Sequence, residues 1–162
     1  MSGRRIIMAS STRSVRVAAS AVVAALLAPA TARSTNGLER WRNITVTATN
    51  FRNAKGMAGI ALFASEEGFP ADAQQALRTA RVEIAAGEAR TTFARVPPGN
   101  YAIAIFHDEN DNNRLDANWL GVPREGWGVS NNVRGQRGPP RFDEASFELR
   151  DQDITIEVKI AY

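Results

Sequence analysis

Counted from Asp108, the side-chain oxygens of Asp108, Asn110, Asn112 and Asp116 fall at positions one, three, five and nine of the run Asp108-Glu-Asn-Asp-Asn-Asn-Arg-Leu-Asp116, which follows His107. A hard cation such as calcium takes about six to eight oxygens at flexible geometry, and alternate side chains of one short loop supply them by pointing to a common centre. Arg114, at position seven, would add its backbone carbonyl. Asn113 stands at position six, where such a loop turns sharply, and after Gly it is Asn that best accepts left-handed backbone. The expected ligand set is therefore Asp108, Asn110, Asn112, Arg114 through its carbonyl, and Asp116, with Ca2+ as the ion. Trp119 occupies position twelve, where an EF-hand has its bidentate Glu, and Asn at position five lowers the charge. Affinity is accordingly expected at the weak end, roughly 10⁻⁴–10⁻³ M. The competing reading is that these Asp and Asn side chains close Asx-turns on their own backbone and hold no ion.

Nothing comparable in the chain points to catalysis, and no catalytic residue is assigned. His107 is the single histidine and there is no cysteine, so a zinc site lacks ligands. Paired with Asp143 or Glu144, His107 would make an acid–base dyad for a hydrolase; its plainer role is a strand-end hydrogen bond to the adjacent loop. Ser130 lies in Gly-Val-Ser-Asn-Asn, which is not a nucleophile elbow. Trp119 and Trp127 fall in a long Asn-, Gly- and Pro-rich excursion, Asp108–Pro140. They are expected to give that excursion a small core of its own. Left exposed, Trp119, Trp127, Arg134 and Arg141 would instead form a contact surface for an envelope protein or polysaccharide, independent of metal.

These residues must be delivered to the right compartment. Residues 1–32 carry Arg4, Arg5, Arg13 and Arg16, then an apolar run, Val17–Ala30, then Ala30-Thr31-Ala32 as a small-x-small cleavage site. This is the pattern of a secretory signal peptide, and the run is short for a permanent span. Sec-type export is expected over the twin-arginine route, with Met1 or Met8 as the start. Subtracting the four signal arginines leaves 16 of the 20 basic residues against all 17 acidic ones, a net charge of −1. The basic pI belongs to the export segment, so nucleic acid is not an expected partner. The expected product is a periplasmic or secreted monomer with no stable membrane span, made of a flexible leader, 33–40, and one domain, 41–162.

Period-two alternation dominates that domain. Ile44, Val46 and Ala48 alternate with threonines. Met57–Ala64 puts Ile60 and Leu62 on one face and Ala61 and Phe63 on the other. Asn100–His107 is apolar on both faces, the mark of a central strand. Ala80–Ala86 and Ala89–Val96 read as a hairpin about Gly87-Glu88, and Ala71–Thr79 as a short helix. Ala145–Leu149 and Ile154–Tyr162 close the chain. The expected fold is all-β: an antiparallel, seven-stranded Greek-key sandwich with one short helix and a long loop after the central strand.

A longer series of motifs extends this reading. Pro97-Pro98-Gly99-Asn100-Tyr101-Ala102-Ile103, Phe106-His107-Asp108-Glu109-Asn110-Asp111-Asn112, Leu115-Asp116, Leu120-Gly121-Val122-Pro123-Arg124-Glu125-Gly126-Trp127-Gly128-Val129-Ser130-Asn131-Asn132 and Pro139-Pro140-Arg141-Phe142-Asp143-Glu144-Ala145 follow in order. Over about Ile44 to Tyr162 the chain resembles an uncharacterised bacterial family, domain of unknown function 2141. The Pro-Pro-Gly-x-Tyr entry is also similar to transthyretin-like (prealbumin-like), carboxypeptidase-regulatory-like and surface-protein B-repeat sandwiches. The resemblance implies a secreted or periplasmic domain and brings no activity. The family commonly has Gly where this chain has Asn113, which implies a looser turn at any ion site.

Overall fold

The computed structural model describes residues 41–135 and 138–162; the expected signal peptide and leader lie outside them. Eight strands are present: β1 (Arg42–Thr49), β2 (Met57–Phe63), β3 (Arg78–Val82), β4 (Ala89–Val96), β5 (Gly99–Asp108), β6 (Trp127–Val129), β7 (Phe147–Leu149) and β8 (Ile154–Lys159), with one short helix, α1 (Phe142–Ala145). They form two sheets, β4-β1-β8 and β3-β2-β5-β6, and β7 pairs with the start of β5.

The alternation read from the sequence sets the packing. Ile44, Val46 and Ala48 from β1 meet Ile60 and Leu62 from β2, and Tyr101, Ile103 and Ile105 from β5, in the main core between the sheets. Val158, Ile160, Ile154 and Ile156 close it. The opposite faces of β2 and β5 build a second, smaller core from Ala61, Phe63, Ala102, Ala104, Val129 and Ala145, covered by Phe69, Phe142 and Trp127. β5, paired with β2 on one side and β6 on the other, is buried on both faces because Tyr101, Ile103 and Ile105 face the main core and Ala102 and Ala104 the second.

Five expectations need correction. Among the described residues the strands number eight, not seven, and the pairing is not wholly antiparallel: β1 runs parallel to β8, Val46 opposite Ile156. A parallel pair needs a crossover, and here the rest of the domain supplies it. The hairpin about Gly87-Glu88 is real only as a turn. Ala85 and Glu88 exchange backbone hydrogen bonds (2.8 and 3.0 Å), but β3 then pairs with β2 and β4 with β1, in opposite sheets. The helix over 71–79 shrinks to a single 3-10 turn, Ala73–Gln75, whose start Asp72 caps by accepting the Gln74 N–H (3.0 Å). Edge pairing of Arg78–Val82 on β2 overrides the helical propensity of Ala, Gln and Leu. The excursion after β5 is also shorter than expected, since β6 returns the chain to the sheet by Trp127.

Candidate functional site

β5 ends at Asp108, and the chain turns at once into the Asp108–Asp116 loop. Asp108 is fully buried. Its Oδ1 accepts the Asn112 N–H (3.0 Å) and its Oδ2 the Asn113 N–H (2.8 Å). Asn113 is left-handed (φ 65°), as its place in the loop requires, and so is Asp111 (φ 63°). Asn110 Oδ1 accepts the Asn112 N–H (3.2 Å) and Asn112 Oδ1 the Arg114 N–H (2.9 Å), two successive Asx-turns. The amides of Asn110 and Asn112 then donate to the two oxygens of Asp116, at 2.7 and 3.0 Å. These two hydrogen bonds hold the Asp116 carboxyl below its ordinary range.

Two partners from outside the loop complete it. Arg81, on β3, places its guanidinium 3.2 Å from Asp108 Oδ2 and also pairs with Asp111. Glu125 is buried (5 % exposed). Its Oε1 accepts the Glu109 N–H and its Oε2 the Asp116 N–H, both at 2.9 Å. One carboxylate thus grips both ends of the loop. The structure therefore brings Asp108, Asn110, Asn112 and Asp116 into one loop, with their polar atoms hydrogen-bonded within it. Among the described residues no three His, Cys, Asp or Glu side chains gather as a metal-holding group. The donors available to calcium are the two Asp carboxylates and the Asn oxygens, with Arg81 supplying opposing positive charge beside them.

His107 precedes this clasp and is fully buried, with the edge of the Phe51 ring against it at 5.1 Å. One ring nitrogen, Nε2, lies 2.8 Å from the Lys55 carbonyl, which only accepts, so Nε2 carries the proton. Nδ1 shares a hydrogen bond with the Tyr162 hydroxyl (2.7 Å), and that hydroxyl accepts the Arg52 N–H (3.0 Å). Burial pushes the Tyr162 phenol up. Both nitrogens are thus committed to structural bonds. The alternative dyad with Asp143 or Glu144 does not form: Asp143 is bound by the Arg141 fork, and Glu144 accepts the Arg141 N–H (3.0 Å). Ser130, also buried, is structural too. Its hydroxyl accepts the Ile103 N–H (2.9 Å) and donates to the Ala145 carbonyl (2.6 Å), tying β5 to α1.

The two tryptophans part company. Trp127 is half-buried against the second core, with the Arg134 guanidinium 5.2 Å over its ring. Trp119 is 90 % exposed, which corrects its expected place in a local core. Of the four residues named for the alternative contact surface, the contact seen is Trp127 with Arg134, while Arg141 is turned onto Asp143.

The same excursion walls a cavity of about 670 Å³ on the outer face of the larger sheet. Its floor is Ala61, Ala104, Phe106 and Trp127; Arg114 and Gln74 stand on its walls. Small floor residues leave the space open. Ala61 faces Ala104 across the ladder, while the next pair along is Gly59 and Phe106, whose ring lies where a Gly59 Cβ would be.

The family model for uncharacterized proteins conserved in bacteria, domain of unknown function 2141, matches residues 46–157. The chain belongs to that family. Neither a curated protein nor a solved structure matches it. The segment shared with the family runs from within β1 to within β8 and takes in the clasp, Glu125 and the cavity floor. Sequence reasoning missed Glu125 and Arg81. Each lies outside the loop's own spacing, and the one available signal was an isolated Glu between Pro123 and Gly126, flanked by turn residues.

Proposed function

We propose that this member of the family is an exported, non-enzymatic binding module of the bacterial envelope, monomeric, built on a Greek-key sandwich of the transthyretin kind. It takes a small, largely apolar ligand in the cavity over Ala61 and Ala104. The observation that carries this reading is the cavity itself. One end of the outer face of the larger sheet is sealed by Phe63, Phe69 and Phe142, while the other is left open under loops that stand off it. Apolar pockets of several hundred Å³ with a few polar groups at the edge are the usual form of small-molecule sites. Arg114 would select for an anionic group on the ligand. Support for the Greek-key reading comes from the chain's repeated changes of sheet, with β1 and β4 in one and β2, β3 and β5 in the other.

The test uses an anionic aromatic probe, anilinonaphthalene sulfonate, titrated against the folded protein. Its fluorescence should rise on binding and be lost in Ala104→Leu, which fills the floor. Undiminished binding by a folded Ala104→Leu protein would contradict the site.

A second reading rests on the clasp. Asp108 binds the N–H groups of Asn112 and left-handed Asn113, a backbone course that suits a wrapped cation. Rotating the Asn110 and Asn112 amides would turn their oxygens inward. We place Ca2+ there as a weak, stabilising ligand of Asp108, Asn110, Asn112, the Arg114 carbonyl and Asp116. Calorimetry on metal-stripped protein tests it; no heat with millimolar calcium removes this reading and leaves a clasp closed by its own side chains. A protein or polysaccharide contact through Trp119 is the remaining alternative for the partner class.

A further inference from the structure

Beyond the clasp the chain forms a small hairpin, bridged at Ala117 and Pro123. Its backbone is closed internally. The Asn118 N–H donates to the Val122 carbonyl (2.8 Å) and the Gly121 N–H to the Asn118 carbonyl (2.9 Å). Asn118 Oδ1 accepts the N–H groups of Leu120 (2.9 Å) and Val122 (3.0 Å). Gly121 takes a left-handed φ of 78°, which completes the turn. On this braced frame Trp119, Leu120 and Val122 are 90, 65 and 54 % exposed. Together with Leu115 they make four of the six large exposed hydrophobic residues among those described. Scattered exposed apolar side chains are ordinary; a contiguous set on one projection marks a contact site.

The shape and charge of the projection decide its partner. Arg114 and Arg124, both exposed, flank it. The nearby carboxylates are engaged elsewhere: Asp116 with Asn110 and Asn112, Glu125 with two backbone N–H groups. A convex tip of three side chains buries far less than the roughly 1,000 Å² that a specific protein interface needs. A lipid surface requires no matching pocket. It does require that backbone polar groups entering it be satisfied within the protein, and the Asn118 bonds do much of this. Trp is the side chain that most favours the interfacial zone of a bilayer. Among the described residues no helix is long and apolar enough to cross a membrane. We propose that the Asn118–Val122 tip inserts into the interfacial zone of an anionic lipid bilayer, with Arg114 and Arg124 on headgroup phosphates.

The chain has no cysteine, so a single environment-sensitive label can be placed at will on the full-length protein. Leu120→Cys reports the tip and Glu88→Cys, on the exposed turn before β4, reports a remote surface. On equimolar phosphatidylglycerol–phosphatidylcholine vesicles the tip label should shift to the blue and be quenched by brominated acyl chains, and the Glu88 label should do neither. Adding Trp119→Ser should weaken that response about tenfold or more, as expected for losing a large aromatic anchor, while the melting temperature stays put. Pure phosphatidylcholine or high salt should also weaken it. A tip label that stays in water on anionic vesicles, even where the rest of the chain adheres, overturns the proposal. So does equal insertion into neutral vesicles, or a label shielded only when an envelope protein extract is added. Arg114 borders both the cavity and the tip, but Trp119 is not part of the cavity lining, so Trp119→Ser should leave the probe titration unchanged while weakening the tip response.

Discussion

The clasp and the hairpin tip are neighbours on one excursion, and they follow opposite rules. The clasp buries polar groups and pairs them: the Asp108 and Glu125 carboxylates between them accept four backbone N–H groups. The tip exposes apolar groups and leaves them uncovered. Buried, paired polar groups contribute to rigidity and are costly to disturb. Exposed apolar groups contribute little to folding and are available to a partner. The contrast assigns the structural task to the acidic run and the contact task to the stretch beside it, although the acidic run looks the more chemical in the sequence.

Substitutions can break this contrast, and the largest effect is expected at Asp108. Asp108→Ala removes the acceptor of two N–H groups and leaves Arg81 without its buried partner. It should lower unfolding free energy by about 2–4 kcal/mol in urea denaturation. Glu125→Gln keeps the shape but can accept at only one position, so about 1–3 kcal/mol should be lost. A loss under 0.5 kcal/mol at both sites, the scale of an ordinary surface change, would erase the difference between clasp and tip.

Calcium sharpens it more gently. If the ion enters the loop, ten-fold excess over its dissociation constant should stabilise the protein by about 1–2 kcal/mol, seen as a rise in melting temperature that Asp116→Asn reduces. Acid should act on the same region. Burial pushes the Glu109 carboxyl up, but hydrogen bonds from Asn53 and Arg52 and the charge of Arg52 outweigh it and hold the group below its ordinary 4.5. A folded-state value below the unfolded one gives stability that is present above pH 4.5 and lost as pH falls through the folded value. Melting temperature followed downward from neutral pH should be level and then drop, and Glu109→Gln should flatten the drop. The smallest effect on stability is expected at the tip, where Trp119→Ser should change it by less than about 0.5 kcal/mol.

How much of this was legible depended on sequence separation. The alternations of Ile44–Ala48, Ile60–Phe63 and Tyr101–Phe106 showed their faces directly, because a strand's period is a local property, and all three sit as expected. The turn after Asp108 was legible for the same reason, since Asx-turns close within a few residues. The failures are long-range. Ala85 and Glu88 make a turn that any hairpin would share, and only packing of the two sheets sends β3 and β4 apart. Ala71–Thr79 has helical composition, yet Arg78–Val82 is drawn onto the edge of β2. The parallel β1–β8 pair joins residues some 110 positions apart, as in Asn43 with Asp153. Glu125 and Arg81 reach the clasp from other elements, so no spacing within the loop announces them. Trp119 and Trp127 are chemically alike in the sequence, and only the return of β6 to the sheet separates one as core from the other as contact.

Amide hydrogen exchange in the chelator-treated protein tests the central claim most directly, because it reads the clasp one N–H at a time. The amides of Glu109, Asn112, Asn113 and Asp116 should be protected without calcium, and in Glu125→Gln the protection of Glu109 and Asp116 should fall together. Rapid exchange at all four that slows only when calcium is added would contradict a clasp closed by its own side chains.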